Sequence, residues 1–221
     1  MEVPFTGWGG LDTTGKAPDA GLAGSLSDER QLHPHSVSRV RGQGLRSLVH
    51  AIAARHDRAT VQTVFAGTSA HIRPTLASGN IAASAWYPIT WYADTYRALR
   101  EVTGAPLEIA ASLRAEAVRR DAKGVFRFML SFASPEALIR QAERVCALYI
   151  DGPKLKTRFV RTGELEIEFV NLVGYDECCV HDHVGGALAA LEMSGARGIT
   201  LRSLEIGPNV STFVALLGWP A

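Results

Sequence analysis

The stretch from Ser134 to Leu172 constrains this chain most, because it reads as a helix and a β-hairpin with every local signal in agreement. Ser134 suits a helix cap, Pro135 the first helical position, and Glu136 the positive end of the helix dipole. Leu138, Ala142, Val145 and Tyr149 recur at spacings of four, three and four, with Cys146 beside them, which makes one apolar face. Gly152-Pro153 ends the helix, since Gly takes left-handed dihedrals and Pro cannot extend the hydrogen-bond ladder. Leu155, Thr157 and Phe159 then alternate with basic or outward positions, and Leu165, Ile167 and Phe169 alternate with Glu164, Glu166 and Glu168. A loop of Arg161-Thr162-Gly163 with Gly163 left-handed predicts a bulged hairpin. Its register sets Phe159 against Leu165 and Thr157 against Ile167 on the buried face, and Arg158 against Glu166 and Lys156 against Glu168 outside. The charged rows read as a solvated sheet face with cross-strand pairs.

The elements around this anchor give a fold class. Leu45, Leu48, Val49 and Ile52 predict a helix from Gly44, and a shorter one is predicted over Thr60–Gly67. Trp86-Tyr87-Pro88-Ile89-Thr90-Trp91-Tyr92 is the densest aromatic cluster, and Pro88 is read as the start of a helix carrying Trp91, Tyr92, Tyr96 and Leu99. Further helices are predicted over Pro106–Arg120 and through the strongly apolar stretch Val125–Phe132. After the hairpin, a helix carries Val184, Ala187, Leu188 and Leu191, then strands lie over Arg197–Glu205, around Ile199 and Leu201, and over Val210–Leu217. Helices followed by strand, strand, helix, strand, strand predict an α+β fold, with N-terminal helices packed on a four-stranded antiparallel sheet of order ββαββ. Residues 1–42 are rich in Gly, Pro, Ser, Thr and Asp and read as a partly ordered irregular segment; 43–221 read as one domain.

Bulk properties exclude several function classes. A net charge of +1 provides no global basic field for nucleic acid. No apolar run is long enough to cross a bilayer. The start Met1-Glu2-Val3-Pro4 lacks a signal-peptide pattern, so the cytoplasm is the expected compartment. Three cysteines, two of them adjacent, do not form a disulfide scaffold.

The constellation with metal-ligand side chains is Cys178-Cys179-Val180-His181-Asp182-His183. Read as a strand, it puts Cys179, His181 and His183 on one face as an open site, with zinc the metal that thiolate and imidazole suit. Asp182 is then read as the cap of the following helix. The plainer alternative is buried cysteines and two histidines at a helix entrance. No nucleophile elbow, phosphate loop, dinucleotide fingerprint or His-Glu-x-x-His occurs.

Four stretches taken together carry a resemblance: Arg41-Gly42; Trp86-Tyr87-Pro88 with Tyr92; Ser134-Pro135-Glu136 with Tyr149 and Gly152; and Gly185-Gly186 through Leu191-Glu192 to Gly195-Ala196 with Trp219. Over Val40–Trp219 the chain resembles a domain family of unknown function found as many paralogues in myxobacteria, which has no assigned catalytic residues. In fold alone it is also similar to the haem nitric-oxide-binding domains, the four-vinyl-reductase ligand-sensor domains and TRAPP subunits. Those relatives imply a small-molecule sensor pocket or an assembly surface. The haem sensors carry a Tyr-x-Ser-x-Arg clamp that this sequence lacks; His71 is left as a lone ligand and haem is not expected.

The expected function is a non-enzymatic ligand-sensing or protein-interaction domain. It is expected to be a homodimer, with an apolar pocket or interface between helices and sheet and a small apolar ligand or a protein as partner. Trp86, Tyr87, Trp91, Tyr92, Tyr96, Phe128 and Phe132 are the candidate ligand or interface residues. The alternatives are a metal-binding protein or metal enzyme using Cys179, His181 and His183, and an adaptor docking through Phe5 and Trp8.

Overall fold

The structure is a computed structural model of the 221-residue chain. The chain divides into two units, Met1–Ser36 and Val37–Ala221. The structure describes residues 37–121 and 134–220 of the second. The expectations for Phe5, Trp8, Phe128, Phe132 and the Val125–Phe132 helix therefore lie outside the described residues.

Helix α1 spans Gly42–Arg55 and buries Leu45, Leu48, Val49 and Ile52, the stripe its sequence spacing predicts. Helix α2, Arg58–Ala66, begins where the Asp57 carboxylate accepts from the Thr60 N–H at 2.8 Å. A short α3 covers Arg73–Ser78. Helix α4, Thr90–Thr103, stops at Gly104, whose φ of 68° is left-handed. Helix α5 covers Ile109–Asp121 and α6 covers Pro135–Tyr149. Ser134 caps α6, accepting from the Ala137 N–H at 3.3 Å. Helix α7, Glu177–Met193, is the crossover between the two halves of the main sheet.

That sheet contains β4 (Lys154–Arg161), β5 (Glu164–Val170), β6 (Thr200–Ile206) and β7 (Thr212–Gly218). It is antiparallel with spatial order β4-β5-β7-β6, the ββαββ arrangement expected. The hairpin register is the predicted one, with Phe159 opposite Leu165, Thr157 opposite Ile167, Arg158 opposite Glu166 and Lys156 opposite Glu168. A bulge lies between Phe159 and Arg161, and Gly163 has φ 74°. The outer pairs form as expected: Lys156 meets Glu168 at 3.1 Å and Arg158 meets Glu166 at 2.9 Å. Phe159, expected inside, is 40% exposed. It lies beside the bulge near the end of an edge strand, where cover from above runs out.

A second sheet was not foreseen. Strands β1 (Arg39–Arg41), β2 (Trp86–Pro88) and β3 (Ile150–Asp151) pair antiparallel in the order β2-β1-β3. Arg-Val-Arg has one apolar residue and gives no periodic signal, so β1 reads as irregular from sequence alone. Trp86-Tyr87-Pro88, read as a helix entrance, is held extended by pairing with β1, and the helix starts two residues after Pro88. Pro88 is tolerated at the end of an edge strand, where no ladder N–H is required.

The inner face of the main sheet buries Leu165, Ile167, Phe169, Phe213, Ala215 and Leu217. Phe169 and Phe213 stack at 4.9 Å between ring centroids. Helix α7 lies over this face, and α5 packs on α7 at very close range. A Cβ placed on Gly185 of α7 would stand 2.1 Å from the carbonyl oxygen of Ala111 in α5. Among the described residues, no helix is long and apolar enough to cross a membrane.

Candidate functional site

Where α5, α6 and α7 diverge above β4 and β5, they leave a cavity of about 260 Å³. Helix α6 contributes Leu138, Ile139, Ala142, Val145, Cys146 and Tyr149, the apolar face that its four-three-four spacing defines. The sheet contributes Leu155 and Thr157 of β4 and Leu165, Ile167 and Phe169 of β5, the inward set of the hairpin. Helix α7 contributes Gly186, Ala187, Ala190 and Leu191, whose small side chains leave the space open. The walls are thus mostly apolar, the composition expected of a pocket for an apolar molecule.

The polar lining residues are mostly already engaged. Asp182 is 3% exposed within α7. Its Oδ1 accepts from the Tyr96 hydroxyl of α4 at 2.5 Å, and its Oδ2 lies 3.7 Å from Arg114 Nε of α5. Burial raises the Asp182 carboxyl above the ordinary range, against the pull of Arg114 and the Tyr96 hydrogen bond. Burial is the largest influence on Arg114 and opposes its charge, but Asp182, Tyr92, Tyr96 and Asp121 together outweigh it and the guanidinium pKa is raised. His183 sits one residue further along α7. Its Nδ1 lies 2.9 Å from the Cys179 carbonyl oxygen, which can only accept, so Nδ1 carries the proton. Nε2 then accepts from the Tyr175 hydroxyl at 3.2 Å. The ring packs edge-on to Phe169 with centroids 5.0 Å apart.

Burial, with a further push from Arg114, lowers the His183 pKa to about 3. The unfolded chain titrates this imidazole near 6.5, so between pH 6.5 and 3 the unfolded state binds the extra proton. The stability contributed by neutral His183 is whole above pH 6.5 and is lost as pH falls through that window. Asp182, with its raised pKa, contributes an opposite slope but is present in both wild type and a His183 variant. His183→Gln is therefore expected to flatten the acid limb of the stability curve between pH 6 and 4, by up to about 1.4 kcal/mol per pH unit relative to wild type. Urea unfolding at a series of pH values measures this, and parallel curves would refute the assignment.

Tyr92 and Tyr96 are buried at 3% and 0% exposure and belong to the core behind the cavity. Tyr96 holds Asp182, while the Tyr92 hydroxyl would stand 2.5 Å from a Cβ on Gly44. Trp86, Tyr87 and Trp91 lie elsewhere: Arg41 stacks over Trp86 at 4.1 Å, and Tyr87 and Trp91 contact one another at 5.0 Å between centroids. None of these five lines the cavity.

The metal candidates are not on a strand. Asp176, not Asp182, caps α7, accepting from the Cys179 N–H at 2.8 Å, so residues 178–183 occupy the first turns of a helix. Residues two apart on a helix are about 200° apart, so His181 points away from the face that Cys179 and His183 share. Among the described residues, no group of three or more His, Cys, Asp or Glu is placed to hold a metal ion. Burial raises the Cys179 thiol pKa well above its usual value.

Arg114 and Tyr175 were not legible as site residues in the sequence, and Asp182 is a buried acid of the network rather than a helix cap. Arg114 is one of several arginines in α5 and has no periodic signature. The available signal was Gly185-Gly186: Arg114 Cγ would stand 3.3 Å from a Cβ on Gly186.

No protein-family model matches the chain, and no curated protein does, so the myxobacterial resemblance rests on its motifs alone. Solved structures do match. An Fe(II) unliganded H-NOX protein from K. algicida superposes with a TM-score of 0.65 at 9% identity, over 82% of this chain and 97% of that one. A structure from a study of heme distortion in the H-NOX family gives 0.61 at 9% identity, over 82% and 95%. An oxygen-binding H-NOX domain related to soluble guanylate cyclases gives 0.59 at 10% identity, over 82% and 95%. The fold is that of the H-NOX domains.

At such identity the likeness establishes the fold. It also overturns the exclusion of haem drawn from sequence. This chain keeps the H-NOX fold without the Tyr-x-Ser-x-Arg motif, so the motif's absence does not set it apart from a haem-type fold. The cavity wall carries His183, Cys146 and Tyr149, all side-chain types that ligate haem iron. As arranged here, both His183 nitrogens are hydrogen-bonded, and burial pushes the Cys146 thiol up to about 12. The donor types fit, but a cavity of about 260 Å³ would have to widen to admit a porphyrin, and using His183 would require breaking its bond to Tyr175.

Proposed function

We propose that this chain is a non-enzymatic sensor domain whose signal is occupancy of the α5–α6–α7–sheet cavity by a small apolar molecule. The observation that carries this reading is the cavity itself: about 260 Å³, walled by the apolar faces of α6 and the β4–β5 hairpin. For scale, an apolar cavity of about 150 Å³ takes up benzene. The polar groups at one end form a network reaching from Arg114 through Asp182 to Tyr96. A ligand that moved Arg114 or α7 would therefore be felt in α4, which gives occupancy a route to the far side of the helical layer. The H-NOX fold supports the sensor class, and heme, named for one of its relatives, is one ligand to test.

The test is titration with an uncharged naphthyl fluorophore and, separately, with haem followed by its absorbance. Wild-type protein is expected to saturate with at least one of them at one site per chain. Ala190→Phe, which places a ring in the cavity, is expected to weaken that binding at least tenfold. Binding unchanged by Ala190→Phe would place the ligand elsewhere, and no saturable binding of either would remove the proposal.

A further inference from the structure

The charged and polar groups of the cavity gather around Gln43 and Gly44 of α1, Arg114 and Asp121 of α5, and Asp182 and His183 of α7. Their hydrogen-bonding states differ. Asp182 accepts from Tyr96 at 2.5 Å, Asp121 accepts from Ser47 Oγ at 2.5 Å, and His183 is bonded at both nitrogens. Arg114 is the exception. A guanidinium carries five N–H donors. Among the described residues its ion-pair partner is Asp182, at 3.7 Å from Nε, which is longer than a hydrogen bond. Yet the side chain is only 26% exposed. Its stem lies over Gly186 and its Nη1 would stand 3.6 Å from a Cβ on Gly44, so it runs along the cavity wall between α7 and the first turn of α1.

A guanidinium that makes no hydrogen bond among the described residues, beside an apolar space, suits a planar carboxylate attached to a hydrocarbon. The positive end of the α1 dipole, near Gly44, favours the same sign. Asp182 and Asp121 oppose an anion at this end of the cavity, so the carboxylate must be held by direct bonds to Arg114 rather than by the net field.

We propose that the cavity's ligand is an amphipathic monocarboxylate, with its aryl or alkyl body against Leu138, Val145, Leu165 and Ile167 and its carboxylate on Arg114. This rests on the reading that the cavity binds an apolar molecule, and it adds the headgroup. The cavity volume, scaled from benzene, accommodates a body of about ten carbons.

The experiment compares 2-naphthoic acid with 2-naphthylmethanol, which share the ring system and differ in the charged headgroup, by calorimetric titration of the full chain at pH 7. Naphthoate is expected to bind wild type at least tenfold more tightly than the alcohol. Arg114→Met is expected to remove that preference, leaving naphthoate no tighter a ligand than the alcohol. Equal affinities in wild type would overturn the carboxylate assignment while leaving the apolar cavity standing. Binding of neither compound would overturn both. The wild-type comparison decides the matter even if Arg114→Met fails to fold.

Discussion

Replacing Gly185 with alanine is expected to destabilise the domain by about 3 kcal/mol, at the upper end of the usual cost of overpacking a core. The added Cβ would stand 2.1 Å from the Ala111 carbonyl oxygen, 2.5 Å from its Cα and 2.6 Å from its carbonyl carbon. Those atoms are backbone of α5 and cannot rotate aside, so the two helices must separate. The gain in helix propensity from glycine to alanine, about 1 kcal/mol, offsets only part of this. For a domain of this size the melting temperature should fall by roughly 6–12 °C. Gly186→Ala is the control. Its nearest neighbour is the Arg114 side chain at 3.3 Å, which can shift, so the melting temperature should stay within about 3 °C of wild type. If both variants melt together, α5 and α7 are not in the contact described.

Asp182→Ala carries the next largest effect. It would leave the Tyr96 hydroxyl, fully buried, without its 2.5 Å acceptor, and Arg114 without its counter-ion. Removing one member of a buried charged network costs about 3–5 kcal/mol, and the partial exposure of Arg114 puts the expected loss at the low end, about 3 kcal/mol. Asp182→Asn keeps an oxygen for Tyr96 and loses only the charge, so about 1 kcal/mol is expected. Denaturant unfolding of both variants measures the difference. Equal losses would mean that the charge, and not the hydrogen bond to Tyr96, is what the network depends on.

Much of the fold was legible because its signals are local. The hairpin register follows from alternation and the position of Gly163, and the α6 face follows from Leu138, Ala142, Val145 and Tyr149. Those same residues wall the cavity, so its apolar half was present in the sequence as two faces with no stated relation to each other. What the sequence did not show is set by tertiary packing. Strand β1 exists because β2 and β3 flank it, and nothing in Arg-Val-Arg announces that. Residues 178–183 are equally compatible with strand and helix until Asp176 is seen to cap them. With a helix, the period changes from two to 3.6, His181 leaves the shared face, and Asp182 turns from a surface cap into a buried acid facing Tyr96 and Arg114. The aromatic cluster attracted attention for its density, but density reports burial as readily as binding. Tyr92 and Tyr96 support the site from behind, whereas Trp86, Tyr87 and Trp91 serve the small sheet and its neighbouring helix.

The most direct test of a ligand cavity beneath α6 is a pair of amide ¹⁵N–¹H spectra of the full chain, before and after addition of 2-naphthol. Saturable shifts centred on Ala142, Ile167, Gly186 and Ala190, which line the cavity, are the predicted result. A spectrum that does not change, or shifts confined to residues outside those walls, would contradict it.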